Sequence, residues 1–133
     1  MSLAFTNMDH CSVIITDIAR SRHFYRDILG LKEIAPPKTF NFVVLWFDLG
    51  GGQTLHLLQK PEPDIISPRH FALGIRDAKA ARAELRGIGV AIEETTPIPH
   101  CDRFFIRDPD GNRIEVICWL TPYDPQTSGR FLV

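Results

Sequence analysis

Apolar and polar residues follow the same order twice along the chain. Each copy opens with a short apolar run that starts at a His and is closed by an Asp, HCSVIITD at 10–17 and HFALGIRD at 70–77. A helical spacing of apolar residues follows each Asp, and the Asp is a natural N-cap because its carboxylate accepts hydrogen bonds from free first-turn amides. The pattern therefore predicts a strand and then a helix at the start of each half.

The second part of each copy predicts a β-hairpin. WFDLGGGQTLHLL at 46–58 and FIRDPDGNRIEVI at 105–117 each contain a strand, an Asp-led turn with Gly, and a second strand. In both, the last turn glycine is followed by two polar residues, one aliphatic residue and then a side chain that can bind a metal. That side chain is His56 in the first copy and Glu115 in the second. The order β-α-β-β-β is thus predicted twice, with further strands near 32–34, 41–48 and 90–94.

The repeat predicts an α+β fold of two βαβββ modules, which tend to pack with pseudo-two-fold symmetry. We place the first module at 1–60, a stiff linker with three prolines at 61–68, the second module at 69–120 and a tail at 121–133. A chain of 133 residues suits one ordinary domain or two small modules that share a core.

Composition and charge exclude several classes of function. The chain is 44% apolar and 23% charged with a net charge of −1, so no basic surface for nucleic acid or membrane is expected. No apolar run is long enough to span a bilayer, and the start of the sequence lacks the features of a signal peptide. Three cysteines without a CxxC spacing predict reduced thiols in a cytoplasmic protein.

Glu115 lies in the middle of an apolar strand predicted at 113–119. A buried charge is costly unless it is paired or binds a metal. The repeat relates His10 to His70 and His56 to Glu115, so four metal-binding side chains occupy two pairs of equivalent positions. We therefore predict a site of three His and one carboxylate for Zn, Ni, Fe(II), Mn or Co. The alternative is that Glu115 and His56 face solvent and that the two strand-opening His residues are structural.

Three segments carry a resemblance to a known family. They are MDHCSVIITDIARSRHFYRDILGL at 8–31, RHFALGI at 69–75 and RDPDGNRIEVI at 107–117. Together they resemble the vicinal oxygen chelate superfamily, which includes glyoxalase I, methylmalonyl-CoA epimerase, fosfomycin-resistance thiol transferases, extradiol dioxygenases and bleomycin-resistance proteins.

The resemblance implies paired modules that form a curved, barrel-like cleft around one divalent metal. The family's ligands fall at the positions of His10, His70 and Glu115. Members with four ligands add one where His56 stands, usually a Glu or Gln in glyoxalase I, so the His is a departure that removes a possible carboxylate base.

The leading hypothesis for function is a glyoxalase I-like lyase or isomerase. Small-substrate oxygens would chelate the metal, which would acidify the neighbouring C–H bond, and Glu115 would be the candidate base. The candidate substrate-binding residues are Phe42, Trp46, Arg103 and Phe105. The three aromatics are equally consistent with core packing, whereas Arg103 could line the pocket mouth with His100 and Cys101.

Two other functions stay open. An extradiol-type dioxygenase or thiol transferase is disfavoured because Phe105 stands where those relatives carry a Tyr. A metal-free binding or resistance protein for a small molecule is disfavoured by four intact ligand positions. The stiff linker at 61–68 also predicts a homodimer that exchanges modules, since it hinders the second module from folding back on the first.

Overall fold

The chain folds into two compact units, seen in a computed structural model that describes residues 2–133. Unit 1 comprises residues up to Ile66 together with Asp108–Asn112, and unit 2 comprises Ser67–Arg107 and Arg113–Val133. The strands are β1 (His10–Ile15), β2 (Lys32–Ile34), β3 (Val44–Gly50), β4 (Gln53–Gln59), β5 (His70–Gly74), β6 (Cys101–Arg107) and β7 (Arg113–Trp119). The predicted α+β class with two β-rich modules is confirmed, and neither sheet closes on itself.

Unit 1 is a four-stranded sheet in the order β1-β4-β3-β2, with β1 parallel to β4 and the other pairs antiparallel. Helix α1 (Ile18–Arg22) begins where Asp17 accepts a hydrogen bond from the Arg20 amide and continues as a π-helical segment, His23–Ile28. The predicted N-cap and helix are therefore confirmed. The core of this unit is formed by fully buried side chains, Ile15, Tyr25, Phe47, Leu55 and Leu57.

Unit 2 is a three-stranded sheet in the order β5-β7-β6, with β5 parallel to β7 and β6 antiparallel to it. Helix α2 (Ala78–Gly87) is capped by Asp77, as predicted. The tail contains a short helix that the sequence pattern did not predict, α3 (Pro125–Ser128), capped by Asp124. Among residues 2–133, no helix has both the length and the apolar character that crossing a bilayer requires.

The prediction of a strand at 90–94 is wrong. This segment makes a single antiparallel bridge, between Glu93 and Phe105, and otherwise has no regular strand pairing. Arg82 of α2 binds the carboxylate of Glu94 through Nε and Nη2, at 3.0 and 3.2 Å. Only Glu93 pairs with β6, through the two backbone hydrogen bonds that it exchanges with Phe105.

A buried polar network closes the turn Asp108–Asn112. The Asp108 carboxylate accepts hydrogen bonds from the Tyr25 hydroxyl at 2.7 Å, from the Asn112 side-chain amide at 2.8 Å and from the backbone amides of Asp110 and Asn112. Burial raises the pKa of Asp108 despite these donors. Burial and the nearby Asp108 likewise raise the pKa of Tyr25 well above its ordinary value. Four donors therefore depend on one carboxylate.

We expect Asp108→Asn to lower the free energy of unfolding by about 3 kcal/mol, because the new amide group would replace an acceptor oxygen and face two donors. Tyr25→Phe, which leaves three donors in place, is expected to cost only about 1 kcal/mol. Urea unfolding of both variants measures the difference. Equal losses would show that the carboxylate does not organise the turn.

Candidate metal centre

The two units place their candidate ligands with the same strand register. In unit 1, β1 lies parallel to β4 and Ser12 pairs with His56; in unit 2, β5 lies parallel to β7 and Ala72 pairs with Glu115. Ser12 lies two residues after His10, and Ala72 lies two residues after His70. Side chains two residues apart on a strand share a face, so His10 is on the face of His56 and His70 is on the face of Glu115. The structure thus forms two pairs, one in each unit: His10 with His56, and His70 with Glu115.

In unit 1, His10 and His56 are stacked. Their ring centroids are 4.2 Å apart and their planes differ by 19°. Trp46 covers the other face of His56, with centroids 3.8 Å apart and an interplanar angle of 10°. A hydrogen bond of 2.8 Å joins His56 Nε2 to Thr54 Oγ1. Burial, and then the neighbouring His10, lower the pKa of His56, which favours the neutral ring.

His10 is the more accessible member of this pair. Its side chain is 46% exposed, whereas His56 is buried. Nδ1 of His10 lies 2.7 Å from an oxygen of Asp9. A carboxylate on one ring nitrogen orients a metal-binding His and leaves the other nitrogen as the ligand atom. The contact with Asp9 therefore leaves His10 Nε2 as the nitrogen that could bind a metal.

In unit 2, His70 and Glu115 are in direct contact. His70 Nε2 lies 3.0 Å from Glu115 Oε1, and His70 Nδ1 donates to the Pro68 carbonyl at 2.9 Å. Glu115 is only 7% exposed, which rules out the alternative that it faces solvent. Two ligand atoms each about 2.1 Å from one ion, at right angles, lie about 3.0 Å apart. The separation of these two atoms is that of a hydrogen bond, and it also matches two ligands of one divalent cation.

Arg103 holds the second oxygen of Glu115. Its Nη1 donates to Glu115 Oε2 at 3.1 Å, and its Nη2 donates to the Thr96 carbonyl at 2.7 Å. Among residues 2–133, Arg103 Nε is one of four buried side-chain polar atoms without a hydrogen-bond partner. Because Arg103 binds Oε2, the other oxygen of Glu115, Oε1, is the one that contacts His70 Nε2.

The predicted aromatic residues have different surroundings. Phe42 is 57% exposed and stacks on Phe40, with centroids 4.7 Å apart. Trp46 packs on His56, as described above. Phe105 is almost fully buried in the core of unit 2, yet its ring meets His70 edge-on at a centroid distance of 4.9 Å. Trp46 and Phe105 therefore each pack against a candidate ligand, one in each unit, whereas Phe42 stacks on Phe40.

Two contacts around these pairs were absent from the sequence-based prediction. Thr54 binds His56, and Arg113 lies over the Phe105 ring, 3.5 Å from its centroid. The contact of Thr54 could have been predicted, because residues two apart on a strand share a face and Thr54 lies two residues before His56. Among residues 2–133, neither unit by itself contains three or more His, Cys, Asp or Glu side chains grouped so that they could hold a metal ion. Each unit contains one pair of candidate ligands.

The fold and the two pairs define a class, the α+β proteins built from two β-rich modules that carry candidate ligands at equivalent positions. The chain belongs to the Glyoxalase/Bleomycin resistance protein/Dioxygenase superfamily, whose family model matches residues 7–116. The predicted superfamily is thereby confirmed.

Individual proteins show the same likeness. Glyoxylase I 4 of Arabidopsis thaliana is 31% identical over 126 residues, which cover 86% of this chain and 71% of the relative. The crystal structure of a Bacillus anthracis protein assigned to the glyoxalase family superposes with a TM-score of 0.80 at 26% identity, covering 89% of this chain and 98% of that one. TnmS3, an antibiotic binding protein from Streptomyces sp. CB03234, superposes with a TM-score of 0.73 at 25% identity, covering 88% and 98%.

Proposed function

We propose that this protein is a metal-dependent, glyoxalase-like lyase or isomerase acting on a small substrate that chelates the metal through oxygen atoms. The observation that carries the proposal is the buried Glu115 carboxylate, 3.0 Å from His70 Nε2. His10 and His56 occupy the equivalent register in unit 1. The likeness to Glyoxylase I 4 of A. thaliana supports the choice among the reactions of the superfamily.

The proposed metal site takes donors from both units, in one chain or in two. His10, His70 and Glu115 are the central ligands, and His56 stands at the fourth position. This mixture of imidazole and carboxylate suits Ni, Zn, Mn, Co or Fe(II). When bound, such an ion would polarise the substrate oxygens and acidify the neighbouring C–H bond.

The protein side chains have separate tasks in this proposal. Glu115, once released from the metal, takes and returns the proton through Oε1, because Arg103 occupies Oε2. Arg103 lies beside Glu115 and forms one side of the substrate site, and the buried Phe105 supports His70 from the core. Phe42 and Trp46 contribute aromatic surface for the apolar part of the substrate.

Hydrogen exchange in D₂O tests the proposed chemistry. Protein loaded with Ni, Co or Zn is mixed with thiol adducts of 2-oxoaldehydes, and deuterium entry at the carbon beside the carbonyl is followed by NMR. We expect exchange that falls by at least about 100-fold in Glu115→Gln. Rapid oxygen uptake with catechols under Fe(II) would instead support the dioxygenase alternative.

A metal-free binding protein is the second candidate function. The observation in its favour is an exposed aromatic cluster, in which Phe42 stacks on Phe40 and Phe40 meets Trp46 edge-on at 6.2 Å. Such a surface suits a planar aromatic ligand, and TnmS3 is an antibiotic binding protein. Purified protein without metal that binds aromatic ligands tightly would favour this candidate.

We also propose a cytoplasmic homodimer in which modules are exchanged between chains. The linker at 61–68 contains three prolines and is expected to be stiff. His10 and His56 of one chain would then serve the same metal as His70 and Glu115 of the partner chain.

A further inference from the structure

Three aromatic rings of unit 1 form a continuous stack, which we call the ring stack: Trp46, His56 and His10. The centroid distances are 3.8 Å between Trp46 and His56 and 4.2 Å between His56 and His10, with interplanar angles of 10° and 19°. His56 is the middle ring, and both of its faces are covered.

The ring stack restricts how its two imidazoles can bind metal. An imidazole nitrogen binds along its lone pair, which lies in the plane of the ring, at about 2.0–2.1 Å. Two rings stacked 4.2 Å apart and tilted by 19° have planes that meet only far beyond that distance. His10 and His56 therefore cannot both bind one ion in this arrangement.

Burial and hydrogen bonding decide which ring remains a ligand. His10 is 46% exposed, and Asp9 holds its Nδ1 so that Nε2 is presented. His56 is buried, and its Nε2 is already joined to Thr54 Oγ1 at 2.8 Å. Moving His56 into a coordination position would break that hydrogen bond and both stacking contacts.

We infer that His56 is not a metal ligand but a positioning residue that holds the His10 ring by stacking on one of its faces. This inference rests on the proposed function and revises its donor set to three protein ligands, His10, His70 and Glu115. Trp46 and Thr54 hold His56, and His56 in turn holds His10.

A three-ligand centre changes what the site can accept. An octahedral ion with three protein ligands keeps three open positions, whereas four protein ligands leave two. A bidentate substrate would then leave one position for water or a second small ligand. A three-ligand centre thus leaves room for oxygen beside a bidentate substrate, and Phe105, which has no proton to donate, is the feature that separates this chain from Tyr-bearing dioxygenases.

The test compares three variants of the full-length protein by calorimetric titration with Co(II), with the visible spectrum of bound Co(II) as a second readout. His56→Phe keeps a ring in the stack and removes both nitrogens, so its affinity should stay within about 10-fold of the wild type, with an unchanged spectrum. His56→Ala removes the ring that packs on His10, and its Co(II) affinity should fall about 10–100-fold, as is typical when a residue that orients a metal ligand is lost. His10→Phe removes a ligand and should lose more than about 100-fold, beyond the range of such supporting contacts.

Two results would overturn the inference, and they are distinguishable. If His56→Phe loses as much affinity as His10→Phe, or shifts the Co(II) spectrum in the same way, His56 is a ligand and the proposed function stands. If the wild-type protein binds none of Ni, Zn, Mn, Co and Fe(II), both the inference and the proposed function fail. Recovery by His56→Phe of the affinity lost in His56→Ala supports a stacking role, since Phe restores only the ring.

Discussion

Replacing Glu115 with Ala is expected to remove most of the divalent metal from the purified protein and to abolish turnover. Glu115 is the only carboxylate among the proposed ligands, and its Oε1 lies 3.0 Å from the ligand atom of His70. Its loss removes both a bond to the ion and the negative charge that offsets the ion. Elemental analysis after dialysis measures the metal content, and circular dichroism checks the fold.

Glu93→Ala is the matched control. Glu93 also lies in unit 2 and is paired with an arginine, Arg107 Nε at 3.0 Å, but its side chain is 41% exposed. This variant has the same change in charge and should keep its metal. Unchanged metal content in the double variant His70→Ala/Glu115→Ala would rule out the proposed site.

The Glu115→Ala chain also tests whether modules are exchanged. It is mixed under denaturing conditions with a His10→Ala chain and refolded. In an exchanged dimer, each mixed pair has one intact site out of two, so random assembly should restore about a quarter of the wild-type sites. No recovery of metal binding would show that each site is built within one chain.

Arg103→Met is expected to lower the free energy of unfolding of the metal-free protein by about 3 kcal/mol, because it leaves a buried carboxylate without its cation. The side chains of Arg103 and Glu115 are only 16% and 9% exposed. Methionine keeps most of the apolar stem. Urea unfolding in the presence of a chelator measures the loss.

A surface pair provides the comparison for Arg103. Arg26 and Asp27 are 2.8 Å apart, but their side chains are 49% and 42% exposed, so Arg26→Met should leave the free energy of unfolding almost unchanged. The double variant Arg103→Met/Glu115→Gln should recover part of the loss, since no buried charge remains. Equal losses in Arg103→Met and Arg26→Met would show that Arg103 does not stabilise Glu115.

The sequence alone determined the repeat and, through it, the candidate ligands. Strand alternation, the turn at 108–111 and the spacing from the last turn glycine are local properties, so they can be read without knowing distant contacts. They correctly placed His56 and Glu115 at equivalent register positions on parallel strand pairs. The assignment of these residues as ligands stays a prediction.

Part of the Arg103 contact was also available from the sequence. The turn at 108–111 sets the hairpin register, which pairs Phe105 with Glu115 and Arg103 with Ile117. Arg103 is therefore diagonal to Glu115 on the same face of the sheet. The register alone does not select the contact, because the long Arg side chain has many rotamers and only packing in the folded unit fixes one.

Only the tertiary structure decided three further features. The segment at 90–94 makes only the Glu93–Phe105 bridge with β6, and Arg82 of α2 binds Glu94. The turn Asp108–Asn112 packs in unit 1, where Tyr25 donates to Asp108 across 83 positions of the chain. His56 is stacked between Trp46 and His10. Each depends on side-chain torsions and on burial between residues far apart in sequence, and local patterns of apolar and polar residues carry no information about either.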